Sequence, residues 1–267
     1  MRDILDFEGK RTVVTGCATG MGEAVARTLA ELGAEVIGCD VKPMVGHYEQ
    51  AIEIDLAREE SIDAAAMQIE GEIDALFNCA GIPGPPFSNL DTVLVNFVGL
   101  RHFTEALLPR IERGGSVSSI TSVAGMGFEA NLENVRALLD IPGFAEAKAW
   151  CEARPEVANG YLFSKQMIIG YTLHRAHQLA DREIRINCLS PAPTDTPMLP
   201  AFHDQVSKEF MDEHFQAPVG RDARPEEMAE PLIFLGSSAA RFISGHNLVV
   251  DYGYWGSVLM GDRTRLL

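Results

Sequence analysis

Short apolar and β-branched runs alternate along this chain with longer stretches in which apolar residues recur every three or four positions. In order these are Arg11–Thr15, Met21–Leu32, Glu35–Cys39, Ile52–Ile54, Glu59–Glu70, Ile73–Asn78 and Leu90–Arg110. The short runs suit strands buried on both faces, and the periodic ones suit helices that bury one stripe. A strand–helix–strand rhythm gives a parallel sheet with helices on both faces. The rhythm continues through Ser116–Ile120, a helix from about Tyr161 to Ala180, Arg185–Cys188, a helix opening at Pro225-Glu226, and a last strand near Asn247–Asp251. The pattern predicts an α/β, doubly wound, Rossmann-type sheet of seven strands, in one domain spanning residues 1–267.

One segment interrupts the rhythm. Residues 127–159 separate a strand end from the next core helix by far more than an ordinary connection. Leu132, Val135, Leu138 and Leu139, then Phe144, Ala147, Trp150 and Cys151, fall at helical spacing around Pro142-Gly143. The expectation is an inserted helical hairpin broken at that Pro-Gly pair.

Composition narrows the partners. A length of 267 residues with 46% hydrophobic content suffices for one large core. A formal charge of −16 repels phosphate backbones and anionic membrane surfaces, so neither nucleic acid nor membrane is an expected partner. No apolar stretch is long enough to span a bilayer, and the first ten residues have no signal-peptide core. Cys17, Cys39, Cys79, Cys151 and Cys188 are scattered without CxxC spacing, which speaks for reduced thiols and a cytoplasmic location. His174 and His177 share a helix but lack a third ligand nearby, so no metal is expected.

Candidate chemistry begins where the first strand meets Thr15-Gly16-Cys17-Ala18-Thr19-Gly20-Met21-Gly22 and then a helix. Glycines let the backbone turn sharply and approach a pyrophosphate, whose charge meets the helix N-terminus. Asp40 follows the second strand about twenty residues later, where a carboxylate can accept both ribose hydroxyls of NAD and repel a 2′-phosphate. NAD(H) therefore outranks NADP(H), although Lys42 beside it can soften the repulsion and a carboxylate there can also cap a turn.

The spacing of this turn resembles the TGxxxGxG of short-chain dehydrogenases, and later residues extend the resemblance over the whole chain. Asp55-Leu56 stands where that family contacts adenine, and Asn78-Cys79-Ala80-Gly81 where it carries NNAG. Pro191 and Thr196, in Ser190-Pro191-Ala192-Pro193-Thr194-Asp195-Thr196-Pro197, stand in the loop that holds the nicotinamide end. Ala192 replaces the usual glycine there. By this resemblance Gly16, Thr19, Gly20, Met21, Gly22, Asp40, Asp55, Leu56, Asn78, Ala80, Gly81, Pro191 and Thr196 bind the coenzyme, with Tyr161 and Lys165.

Tyr161 and Lys165 lie four apart, so on a helix they share a face and can converge on one ligand. Ser122 ends the fifth strand in Ile120-Thr121-Ser122-Val123-Ala124-Gly125, and Asn96 completes the family's catalytic set of four. Ketone reduction needs a proton donor and a hydrogen bond to the reacting oxygen, besides a hydride. The resemblance implies Tyr161 as acid and base, its phenol made more acidic by Lys165, Ser122 on the substrate oxygen, and Asn96 holding a water that relays protons. It also implies a homo-oligomer, dimer or tetramer, built on the Tyr161 helix, which the inserted hairpin would alter or cover. The long Ser122-to-Tyr161 interval is similar to that of a subgroup holding 3α-hydroxysteroid dehydrogenase/carbonyl reductase and coniferyl-alcohol dehydrogenase.

Met198, Leu199, Phe202, Val206, Phe210, Met211 and Phe215 follow the nicotinamide loop, and residues 197–216 are expected to cover the substrate. With a second wall from Ile82–Phe87 and the hairpin, they suit a bulky apolar alcohol or ketone such as a hydroxysteroid, or an aryl or allylic alcohol. A non-catalytic nucleotide sensor would not need Tyr161, Lys165 and Ser122 together. A sugar-nucleotide epimerase would have another glycine spacing and a longer C-terminal part.

Overall fold

The structure is a computed structural model that describes residues 4–46, 48–264 and 266. Strands β1 (Arg11–Thr15), β2 (Glu35–Asp40), β3 (Gln50–Glu53), β4 (Ile73–Asn78), β5 (Ile111–Ile120), β6 (Arg185–Pro191) and β7 (Asn247–Val250) all pair in parallel. Their order is β3-β2-β1-β4-β5-β6-β7. The chain winds outward from β1 to β3, then returns to set β4 on the other side of β1. At such a reversal the connections diverge and leave a crevice at the strands' carboxyl ends.

The helices are α1 (Gly20–Glu31), α2 (Glu59–Gln68), α3 (Asn89–Val93), α4 (Leu100–Leu107), α5 (Leu132–Leu139), α6 (Phe144–Glu152), α7 (Tyr161–Gln178), α8 (Leu199–Val206), α9 (Lys208–His214), α10 (Pro225–Gly236) and α11 (Tyr254–Leu259). Apolar residues of α1 and α10 form one core against the sheet. Those of α2 and α4 to α7 form the other core, on the opposite face. Register aligns the strand ends: Thr15 lies opposite both Cys39 and Asn78, Asn78 opposite Ser119, and Ser119 opposite Cys188. The glycine turn, Asp40, Cys79 and Ser122 therefore emerge at one edge of the sheet.

Several elements differ from the sequence expectation, β6 for instance running to Pro191 rather than Cys188 and β3 covering Gln50–Glu53 rather than Ile52–Ile54. The helix expected over Leu90–Arg110 is interrupted by a π-helical turn, Leu94–Gly99, between α3 and α4. Tertiary contacts dictate the wider turn. The Asn96 amide is bound to the Ile82 backbone, and a Cβ on Gly99 would fall 2.0 Å from the Leu56 carbonyl oxygen. Strand β5 begins at Ile111 rather than Ser116, with a register shift against β4. The last strand ends at Val250, and Asp251 instead caps α11, its carboxylate accepting from the N–H groups of Gly253 and Trp255 at 2.9 and 2.6 Å.

Residues 132–152 fold as α5 and α6 with Pro142-Gly143 between them. This pair lies on α7 and on the π-turn before α4. Val135 and Leu138 are fully buried, and a Cβ on Gly170 of α7 would fall 2.4 Å from Val135. Trp150 stacks on Phe163 at 6.2 Å, and the Arg101 guanidinium donates to the Leu138 carbonyl at 3.0 Å. Burying two such aliphatic side chains stabilises by about 3–6 kcal/mol before entropy is charged.

Candidate active site

The coenzyme end is made of backbone. Gly16 has φ +70° and Gly20 φ +64°, conformations that favour glycine. A Cβ on Gly16 would fall 2.5 Å from the Ala80 backbone, and one on Gly22 2.1 Å from the Gly16 carbonyl oxygen. The turn is thus pressed between α1 and the end of β4. Thr15 closes that seam, its hydroxyl accepting from the N–H groups of Cys79 and Ala80 at 3.1 and 3.2 Å. Thr19 precedes α1 in extended conformation, and its side chain caps no N–H of the helix. Donors of the first turn remain free for an anion. A cradle that a Cβ would fill, at a helix N-terminus, fits the pyrophosphate of a dinucleotide.

Asp40 is the last residue of β2, and each carboxylate oxygen accepts one backbone N–H, from Ala18 and Lys42, both at 2.9 Å. Both oxygens keep a lone pair for a further donor such as a ribose hydroxyl. Two other predicted coenzyme residues are placed differently. Leu56 is 5% exposed and packs in the core, and Asn78 Nδ2 donates to Thr104 and Ser119 inside the sheet while its buried Oδ1 has no partner among the described residues. Their side chains support the site and do not face it. Asp55 binds the N–H of Ala57 through its carboxylate, and its own N–H donates to Ser61, both at 2.9 Å, a turn that leads into α2.

Sequence reasoning missed Tyr48. Its hydroxyl donates to the Cys17 carbonyl at 2.9 Å, and its ring lies where a Cβ on Gly38 would come within 2.7 Å. Gly38 in the middle of β2 was the available signal, since glycine inside a strand often marks a close approach.

The chemical centre lies at the ends of β5 and β6. Ser122 accepts from the N–H of Ala124 at 3.1 Å, and its carbonyl accepts from Ser190 of β6 at 3.1 Å. Tyr161 opens α7, and its side chain and that of Ser122 line one cavity. One turn on, Lys165 is 4% exposed. Its Nζ donates to the Ile120 carbonyl at 3.2 Å and stands 5.4 Å from the centre of the Tyr161 ring. Asn96 is fully buried in the π-turn, accepting from Ile82 N–H at 2.8 Å and donating to the Ile82 carbonyl and to Ser164. Gly81 lies between them: a Cβ there would be 3.2 Å from Asn96 Oδ1 and 3.8 Å from Lys165 Nζ.

The Asn96 side-chain amide is engaged by protein groups and anchors the Ile82 backbone beside Lys165. In the protein alone, burial pushes the Tyr161 phenol up to about 12, while the Ser122 side chain pulls in the opposite direction. Burial likewise lowers Lys165 to about 8.

A cavity of about 270 Å³ opens from Ser122 and Tyr161. Met21 and Thr196 border it on the coenzyme side, together with Pro191. Of the apolar set after Thr196, all but Phe210 line it. Phe202 meets the Tyr161 ring edge to face at 5.1 Å. Val123, Leu162 and Ala192-Pro193 also line it, and Pro83 of the Ile82–Phe87 segment reaches its rim, accepting from the Gln205 amide at 3.4 Å. Among the described residues no helix is long and apolar enough to cross a membrane, and no group of three metal-ligating side chains is present.

Comparison with known proteins places this geometry. The short chain dehydrogenase family matches residues 10–133, and a second pattern, described as enoyl-(acyl carrier protein) reductase, matches residues 152–255. Coniferyl-alcohol dehydrogenase of Pseudomonas sp. strain HR199 is 34% identical, covering 93% of this chain and 98% of its own. The 3-alpha-hydroxysteroid dehydrogenase/carbonyl reductase of Comamonas testosteroni is 29% identical over 90% and 95%. The solved 3-alpha-hydroxysteroid dehydrogenase of Pseudomonas sp. B-0831, complexed with NADH, superposes with a TM-score of 0.77 at 28% identity, covering 96% of this chain and all of that one. With its parallel sheet, its glycine turn and its Ser122–Tyr161–Lys165 cluster in the family's order, the chain belongs to the short-chain dehydrogenase family of oxidoreductases.

Proposed function

We propose that this protein interconverts a secondary alcohol and a ketone with NAD(H), on a bulky and largely apolar substrate. The observation that carries the reading is that Ser122 and Tyr161 line one largely apolar cavity, which Met21 and Thr196 border on the side of the glycine turn. Asp40 supports NAD over NADP, since a 2′-phosphate at the end of β2 would meet its carboxylate.

A bound nicotinamide supplies or accepts the hydride. The protein's residues handle the proton. In reduction, Tyr161 donates its phenolic proton to the substrate oxygen while Ser122 hydrogen-bonds the same oxygen, stabilising the charge that develops there. In oxidation the phenolate takes the alcohol proton. Lys165 places a cation one turn along α7, and Asn96 holds the Ile82 strap in place over that lysine. The cavity's apolar lining excludes water from the reacting oxygen, which strengthens each of these bonds.

Initial rates on secondary alcohols and ketones bearing steroid, aryl and small polyhydroxylated groups, each with NAD(H) and NADP(H), test the reading. Preference for the polyhydroxylated substrate would sink the apolar-pocket assignment, and equal use of NADPH would remove Asp40's role. Aryl or allylic alcohols are the second substrate class, favoured by the 34% identity to coniferyl-alcohol dehydrogenase.

Self-association is proposed through surfaces other than the part of α7 on which α5 packs. Leu173 is the large apolar side chain left exposed on α7, and Leu173→Asp should leave the mass in solution unchanged. Dissociation would return the interface to α7.

A further inference from the structure

The substrate cavity contains one polar side chain that neither the chemistry nor the coenzyme end uses. Beyond Ser122 and Tyr161, its polar side chains are Thr194, Thr196 and Gln205. Thr194 is 5% exposed, and its hydroxyl is committed to the Ala192 carbonyl at 2.8 Å. Thr196 lies against the coenzyme turn, 3.3 Å from where a Cβ on Gly20 would stand. Gln205 remains.

Gln205 sits three residues beyond Phe202 on α8, hence on the same helix face. Phe202 packs on the Tyr161 ring, so Gln205 occupies the next position outward along the cavity wall. Its Nε2 donates to the Ala201 carbonyl at 3.0 Å and, across the cleft, to the Pro83 carbonyl at 3.4 Å. The Nε2 thus meets backbone carbonyls of two elements, while the residue as a whole stays exposed at the cavity mouth. Its Oε1 accepts no hydrogen bond from the described residues. No Lys, Arg or His lines the cavity.

An oriented amide oxygen at the mouth of an apolar cavity without a cation has a definite preference. It accepts from a neutral hydroxyl, gains nothing from a bare hydrocarbon, and repels a carboxylate. We propose that Gln205 is a specificity-determining residue that selects ring-bearing alcohols or ketones carrying a second, uncharged hydroxyl remote from the reacting carbon. The proposal rests on the alcohol–ketone reading of Ser122 and Tyr161.

The test uses the full chain and two series of secondary alcohols of different reach, 1-phenylethanol and 4-phenylbutan-2-ol, each with para hydrogen, hydroxyl or carboxylate. Measuring kcat/KM for wild type, Gln205→Leu and Gln205→Lys separates the amide's contribution from the substituents' electronic effects. In the series whose reach fits, the hydroxyl-to-hydrogen ratio should fall about five-fold from wild type to Gln205→Leu, the worth of one neutral hydrogen bond. In Gln205→Lys the carboxylate-to-hydrogen ratio should rise about tenfold, as a cation replaces the acceptor. Ratios unchanged by both substitutions in both series, with good turnover, would overturn the role of Gln205 alone. Absence of turnover on all six alcohols, or retained turnover in Tyr161→Phe, would overturn the site reading, and this proposal with it.

Discussion

At the Gly16–Gly22 turn one added methyl group would fall 2.1 Å from a backbone oxygen, while across the cleft α9 contains no buried residue and α8 only Leu199. The end proposed for the coenzyme offers glycine backbone, a helix terminus and Asp40, whose carboxylate is itself held by two N–H groups. The substrate end uses half-exposed Met and Phe side chains on two short helices. Backbone pressed against backbone has nowhere to relax, so that surface is fixed once the sheet forms. Side chains on a short surface helix can be exchanged without moving the sheet, so specificity can vary while the coenzyme site stays constant.

The largest effect is expected where the two ends meet. Tyr161→Phe removes the proton donor and should lower kcat/KM by about a thousandfold or more, while NADH affinity by fluorescence titration stays within a few-fold. A variant that still turns over would break the division between binding and chemistry. Next comes Gly22→Ala. Its methyl group cannot be accommodated without shifting α1, so NADH affinity should fall by about a hundredfold and stability by about 1–3 kcal/mol, read by titration and thermal melting. Wild-type binding in that variant would show that the turn is softer than its packing indicates.

The pH dependence sharpens the same contrast. Burial holds Tyr161 protonated to about 12, so between pH 7 and 9 the acid form is complete and the phenolate scarce. Ketone reduction should be nearly flat up to about pH 7 and decline above it as Lys165, lowered to about 8, loses its charge, whereas alcohol oxidation should rise about tenfold per pH unit up to about pH 8 and then level off. An acidic optimum for oxidation, measured by initial rates, would remove Tyr161 as the base. The smallest effect is expected for Tyr48→Phe, which deletes the bond to the Cys17 carbonyl behind the glycine turn. KM for NADH should rise about five-fold, with the change in KM rather than kcat, as the loss of one neutral hydrogen bond implies. A change in kcat alone would place Tyr48 outside the coenzyme end.

Much of the architecture was legible because it follows from local rules. The boundaries of β1 and β4 coincide with their apolar runs, since a strand buried on both faces admits little else. Tyr161 and Lys165 share a face because helical spacing puts them there, and Ser122 follows from its position at a strand end. The π-turn around Asn96 was not legible. Nothing in Leu94-Val95-Asn96 signals that Ile82, fourteen positions earlier, will engage the amide from both sides.

By itself the sequence determined the order of strands and helices, the glycine turn, the carboxylate after β2 and the residue types available for proton transfer, because periodicity, turn chemistry and residue identity act over a few neighbours. Only the tertiary structure decided that the Leu56 and Asn78 side chains pack in the interior, that Tyr48 backs the glycine turn, and that the residues after Thr196 come round against Tyr161 and Pro83. It also decided the direction of the Tyr161 and Lys165 shifts. Those outcomes depend on which distant groups come within hydrogen-bonding reach and on how much water burial removes, and neither quantity is encoded in the spacing of residues along the chain.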